Sequence, residues 1–172
     1  MINESKKMNI LLYFILRILS QKSLRVSEVK FVTVESLNRK FICVYNKGKL
    51  PKVPLPTDLR NELINYCKTN GISKGSIISV RKDRPMDRST IGRNIRKLAE
   101  EIGIELTKAH PHSFRHSFAV NYLKRYSSVA LSKLSETLGH RSIESTRIYL
   151  RDTLSNAANS ITAINLKIKI AS

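Results

Sequence analysis

The run from Met8 to Ser20, MNILLYFILRILS, sets the tightest limit on how this chain can fold. Apart from Arg17 it is apolar on every side, and a helix without a polar face has to be enclosed, by protein or by lipid. A membrane span needs about 20 apolar residues. This run is shorter, holds Arg17 inside it and lacks the small-residue cleavage site of a signal peptide. It predicts a buried helix over residues 8–20. The 172 residues make one domain, long enough to bury roughly two thirds of the unfolded surface without disulfides or metals. Cys43 and Cys67 sit in apolar surroundings without metal-ligand spacing, as reduced core residues of a cytoplasmic protein do.

Val26–Phe31 reads as a second, short helix. KFICVY and PKVPLP then flank Asn46-Lys47-Gly48-Lys49, a β-branched and aromatic run followed by a Gly-containing turn, which predicts a hairpin. Pro51, Pro54 and Pro56 suit an edge strand. TDLRNELINYCKTNG predicts a helix capped by Thr57 or Asp58, with Gly71 past its end. Ile77–Val80 is either a short strand or a packed loop. Ser89 is the expected cap of a helix closing at Gly103, with Ile91, Ile95, Leu98 and Ile102 on its buried face and Arg93, Arg96 and Lys97 on the other. Pro111 opens a helix through PHSFRHSFAVNYLKRY. Val129–Leu138 forms another, stopped by Gly139. Ser142 caps a helix carrying Tyr149 near its end, and a last helix runs from Asp152 to about Leu166. The expected class is mainly α with a small antiparallel β-sheet (α+β).

Charge points outward from this frame. The chain holds 31 Lys and Arg against 13 Asp and Glu, net +18, and both halves share the excess. Such a field steers polyanions and releases their counterions. Nucleic acid is therefore favoured over an acidic partner protein or an anionic membrane surface. The stretch RKDRPMDRSTIGRNIRK concentrates seven basic residues against two Asp; Arg93 and Arg96 are candidate phosphate contacts, with Ser89 or Thr90 near the backbone or bases.

Chemistry enters with HSFR and LGHRSIESTRIY. His112 and Arg115 share a helix face at i and i+3 and can address one ligand. His140 and Tyr149 stand nine residues apart across a Gly break. Upstream, LRVSE sets Arg25 at the mouth of a helix with Glu28 three residues on, and NKGK offers Lys47. This ordered set resembles the catalytic domain of the tyrosine recombinases, the family of phage integrases and Xer-type resolvers. The resemblance runs from about Ile10 to Arg151. Asn46 stands where the family commonly has Gly, the turn is a residue shorter, and the interval from Arg115 to His140 is slightly longer than in Xer-type members.

The resemblance implies a catalytic domain over residues 1–172, an N-terminal core-binding domain absent from this chain, and site-specific DNA recombination through a 3′-phosphotyrosyl intermediate. Arg25 and Arg115 would hold the scissile phosphate, since guanidinium forks stay charged and match its geometry. Tyr149 would be the nucleophile, although a phenol with a pKa of about 10 needs activation. His112 would take its proton and His140 would hydrogen-bond a phosphate oxygen. Lys47 would protonate the leaving 5′ oxygen, with Lys49 as its rival. No metal and no ATP are implied. The partners implied are double-stranded DNA, a homo-tetramer on DNA for the full-length protein and accessory DNA-bending proteins; the isolated domain can be monomeric, and no membrane is involved. His116 reads as a packed histidine, and Tyr13, Tyr122 and Tyr126 as core or rim. The competing classes are a type IB topoisomerase-like enzyme and a catalytically idle DNA-binding module.

Overall fold

Ile10–Gln21 forms helix α1, and its residues Leu12 to Leu19 are all buried, Arg17 included. The Asn9 side chain caps it, accepting from the Leu12 N–H at 3.1 Å. The computed structural model describes residues 5, 9–22, 24–45, 52–81, 84–126, 130–140 and 142–155. A 3-10 helix follows at Val26–Phe31, where a short helix was expected. Val34–Arg39 (α2) was not foreseen; Thr33 and Ser36 cap its start reciprocally, at 3.2 and 3.0 Å.

Strands β1 (Phe41–Cys43) and β2 (Lys52–Pro54) pair antiparallel, with Ile42 opposite Val53. In a two-stranded sheet both strands are edges, so Pro54 removes no inner ladder bond. The turn between them, with Lys47 and Lys49, lies outside the described residues. Helix α3 (Thr57–Thr69) is capped one residue before Thr57 and two before Asp58, the expected caps: Pro56 takes the cap position without a side-chain bond. Asp58 falls inside the first turn instead, and its carboxylate engages Arg17. Ser79–Arg81 (β3) pairs with Arg84–Pro85 (β4).

Helix α4 (Arg88–Glu101) corrects a second cap. Asp87, not Ser89, accepts from the Thr90 N–H at 2.8 Å and the Thr90 hydroxyl at 2.9 Å. One carboxylate meets two donors and the helix dipole there, which the Ser89 hydroxyl cannot match. Ile91, Ile95 and Leu98 are buried as the spacing requires, and Ile102 is half-buried. A 3-10 turn at Leu106–Lys108 leads to α5 (Pro111–Tyr126), then α6 (Leu131–Leu138) and α7 (Glu144–Ser155). Since nothing between Tyr149 and Asp152 breaks a helix, α7 runs through the expected boundary at Asp152 and puts Tyr149 in mid-helix. The expected last helix beyond Ser155 lies outside the described residues.

Helix α1 packs against α3, α4 and α5, and the main core gathers its apolar side chains with those of α3, α4, the β1 strand and Phe114 of α5. The one charge of α1 is paired in place: the Arg17 guanidinium pairs with Asp58 and Glu62 of α3 and donates to the Tyr13 hydroxyl at 3.0 Å. A second, smaller cluster joins Ala119, Leu123, Leu134 and Leu138, with Tyr149 packed on it. Cys43 and Cys67 are free thiols, half-buried and buried respectively. No described helix is long and apolar enough to cross a membrane.

Candidate active site

Helix α5 is the spine of the site. Its first turn carries His112, exposed, and one turn later Arg115, only 6% exposed. Beneath Arg115 the chain ends α6 at Gly139, whose φ of +62° is the left-handed conformation that glycine adopts without a Cβ penalty. The Gly139 and His140 N–H groups turn back onto the Glu136 and Ser135 carbonyls, at 2.9 and 3.0 Å. The Leu138 carbonyl is left over from that arrangement and accepts from Arg115 Nη2. A helix C-terminus, with its partial negative charge, thus anchors the buried cation.

Beyond the break, His140 Nδ1 lies 2.9 Å from the hydroxyl of Thr146, itself fully buried. The Ser142 hydroxyl accepts from the Glu144 N–H at 3.1 Å, as a cap for α7. Helix α7 brings the half-buried Tyr149 back over α5. The Tyr149 side chain sits against the Arg115 guanidinium and helps to hold its proton. The imidazole of His140 lies nearly parallel to the phenol ring, at 20° and 6.1 Å between centroids. His116 meets the same ring edge-on, at 65° and 5.4 Å.

Arg25 joins from the other side of the chain. Its backbone N–H donates to Glu28 Oε2 at 2.7 Å and its Nη1 to Glu28 Oε1 at 2.9 Å, so Glu28 both caps the 3-10 helix and orients the arginine. Burial, then the positive charge of Arg25, pushes the Arg115 guanidinium down from its usual pKa, while Tyr149 and Glu28 pull it back. Burial likewise holds the His140 imidazole below 6.5, with Arg115 and Arg25 adding to the effect. Arg25 lowers the proton affinity of both Arg115 and His140, as positive groups gathered around one spot do, and the spot is suited to an anion.

That arrangement fixes a sign. A histidine whose folded pKa is depressed binds its proton more weakly folded than unfolded, so stability falls as pH drops through the unfolded value near 6.5 and levels off below the folded one. NMR titration of the His140 ring should give a midpoint below 6.5 in the free protein and a higher one once a phosphodiester occupies the site. An unmoved midpoint on saturation with duplex DNA would place the anion elsewhere.

Of the expected site residues, Arg25, Arg115, His140 and Tyr149 converge. His112 stands on the same helix as Arg115 but is exposed at its first turn, near His110, whose imidazole is pushed down by burial, then by His112 and Arg96. Arg93 and Arg96 are exposed on α4; Arg93 Nη2 donates to the Thr90 hydroxyl at 3.3 Å. Ser89 is exposed in the first turn of α4. Thr146 and the ring contact of His116 escaped the sequence reading, since only the crossing of α7 over α5 shows them. Among the described residues no group of three or more His, Cys, Asp or Glu side chains could hold a metal ion.

The profile of the Phage integrase family matches residues 1–155. Tyrosine recombinase XerA of Pyrococcus furiosus is 31% identical over 150 residues, 83% of this chain and 51% of that protein. A tyrosine recombinase of Pseudothermotoga lettingae is 34% identical over 144 residues, 80% and 48% of the two lengths. The chain spans about half the length of these curated relatives. The crystal structure of XerA recombinase matches with a TM-score of 0.71 at 24% identity, over 92% of this chain and 60% of that one. XerH recombinase bound to its difH substrate matches at 0.68 and 20% identity, over 86% and 44%. The mainly helical domain with its two-stranded sheet therefore has the fold of these recombinases' catalytic part. With residues 1–155 matched from the buried α1 to the helix that carries Tyr149, the chain belongs to the phage integrase family.

Proposed function

We propose that this chain performs the cutting and rejoining steps of site-specific DNA recombination. One observation carries the reading: the Tyr149 side chain sits against the buried Arg115, in a pocket where Arg25 adds a second positive charge. A scissile phosphodiester between the two guanidiniums meets donors placed in advance for the charge that grows on its oxygens, a contribution on the order of 3 kcal/mol per donor. The Tyr149 oxygen attacks phosphorus, the bond to the 5′ oxygen breaks, and a 3′-phosphotyrosyl ester forms. His112, one turn from Arg115 on α5, takes the phenol proton.

His140 acts as a neutral imidazole. If the Thr146 hydroxyl donates to Nδ1, the proton sits on Nε2, ready to donate to a phosphate oxygen. Lys47, or Lys49 in the same turn, protonates the departing 5′ oxygen. A second 5′ hydroxyl then attacks the ester and returns Tyr149. The ester keeps the energy of the broken linkage, so rejoining needs no ATP, and side-chain cations carry the charge stabilisation without a metal. Double-stranded DNA is the substrate, with Arg93, Arg96, Ser89 and Thr90 along α4 contacting it beside the site. The full-length protein works as a homo-tetramer on two such sites.

Covalent capture tests this. The protein is incubated with nicked duplexes of randomised sequence, denatured in detergent, and the attached DNA and the modified peptide are sequenced. An ester mapped to Tyr149 with one recurring DNA sequence is the expected result. An ester at another residue would overturn the assignment. Binding without an ester would make the chain an idle DNA-binding module, and relaxation of supercoiled plasmid without sequence preference would make it a topoisomerase-like enzyme.

A further inference from the structure

Arg115 and His116 are consecutive on α5, and both reach Tyr149 on a different helix: one through its guanidinium, the other by meeting its ring edge-on at 5.4 Å. We propose that His116 is a positioning residue for Tyr149, holding the phenol ring at the angle from which its hydroxyl addresses the phosphate. The proposal rests on the reading of Tyr149 as nucleophile.

The geometry of a phenol makes such a support useful. Its hydroxyl oxygen lies on the ring's long axis, so spinning the ring about Cβ–Cγ leaves the oxygen in place. Swinging the side chain about Cα–Cβ carries it away, and a misplacement of about 1 Å can cost roughly 10²-fold in rate. The aliphatic cluster of Ala119, Leu123, Leu134 and Leu138 packs against Tyr149, but aliphatic contact has no preferred angle. An edge-to-face ring pair does, because the positive edge of one ring seeks the negative face of the other. His116 supplies that pair from α5, and the nearly parallel His140 ring supplies a second contact from the α6–α7 break. Arg115 then has to find only the hydroxyl. The role asks for a flat ring at position 116 and not for a titrating nitrogen.

Single-turnover ester formation on a nicked duplex separates these demands. His116→Ala should slow it by roughly tenfold or more, by the same factor from about pH 6 to about pH 9, with DNA affinity unchanged. His116→Phe should stay within about threefold of the parent, because it keeps the ring. His116→Phe as slow as His116→Ala would overturn the proposal, and so would an His116→Ala rate equal to the parent's or a loss that varies with pH. Should His116→Ala fail to fold, His116→Gln takes its place: a rate as good as that of His116→Phe counts against the ring, a slower one for it. A parent chain forming no ester at Tyr149 removes the nucleophile and this role together, whereas a parent ester with an unaffected His116→Ala removes the role alone.

Discussion

Arg115→Lys is expected to form the phosphotyrosyl ester about 10²–10³-fold more slowly than the parent chain, while binding duplex DNA with nearly the same affinity. The asymmetry follows from what the guanidinium does. Its Nη2 is committed to the Leu138 carbonyl, and the group also sits against Tyr149. A fork of five donors can serve that carbonyl, the phenol and a phosphate oxygen together, whereas an ammonium is a point charge on a flexible stem. Lysine keeps the charge, and with it most of the attraction for DNA, but loses the geometry. Arg115→Ala removes both, leaves the Leu138 carbonyl unsatisfied at a cost of about 1–3 kcal/mol in stability, and should be slower still. Ester formation at saturating DNA, measured beside the dissociation constant at fixed salt, checks this. A lysine variant as fast as the parent would mean that the fork is not used.

The largest effect on stability should come from Arg17. At 4% exposure it is the charged residue inside α1, tied to Asp58, Glu62 and Tyr13. Arg17→Ala leaves a void where the stem lay and takes the cation away from the buried Tyr13 hydroxyl and the partly exposed Glu62, a change of about 3 kcal/mol. In a chain of this size that lowers the melting temperature by about 6–12 °C. Asp58, 59% exposed, is rescued by water and adds little. Arg17→Met keeps the volume and drops the charge, so it should lose only about 1 kcal/mol. Urea unfolding with an unchanged slope measures both. A methionine variant as unstable as the alanine one would show that the ion network, and not the packed stem, holds α1 to α3.

Much of this was legible in the sequence because local rules and global fold agree. MNILLYFILRILS has no polar face and became the central helix; Ile91, Ile95 and Leu98 keep helical spacing and are buried. Where two rules competed, the reading slipped by a residue or two. Asp87 and Ser89 are both good caps, and only the two hydrogen bonds from Thr90 decide between them. Helix α2 was missed because Val32, Thr33 and Val34 read as extended chain and its cap is Thr-x-x-Ser in place of the usual Glu or Gln at the fourth position. In the site, Arg25 and Arg115 lie 90 residues apart in the sequence, and nothing local joins them; the family pattern did. The contacts of His116 and Thr146 were beyond reach, since each depends on how α7 crosses α5 or closes on the α6 end.

The division of the apolar interior has a consequence for how this chain can be altered. The side chains around α1 form one packed body, and those beneath Tyr149 form another, with α5 threading both through Phe114 and then Ala119 and Leu123. Cooperative units of unequal stability arise in this way, and the smaller one opens at lower free energy. Amides of α6 and α7 would then exchange with solvent through partial opening while α1 stays closed. Tyr149 resides in the part that opens first, and foldedness in the part that opens last. Selection, natural or in the laboratory, can therefore tune how readily Tyr149 is presented without spending the stability that keeps the molecule whole.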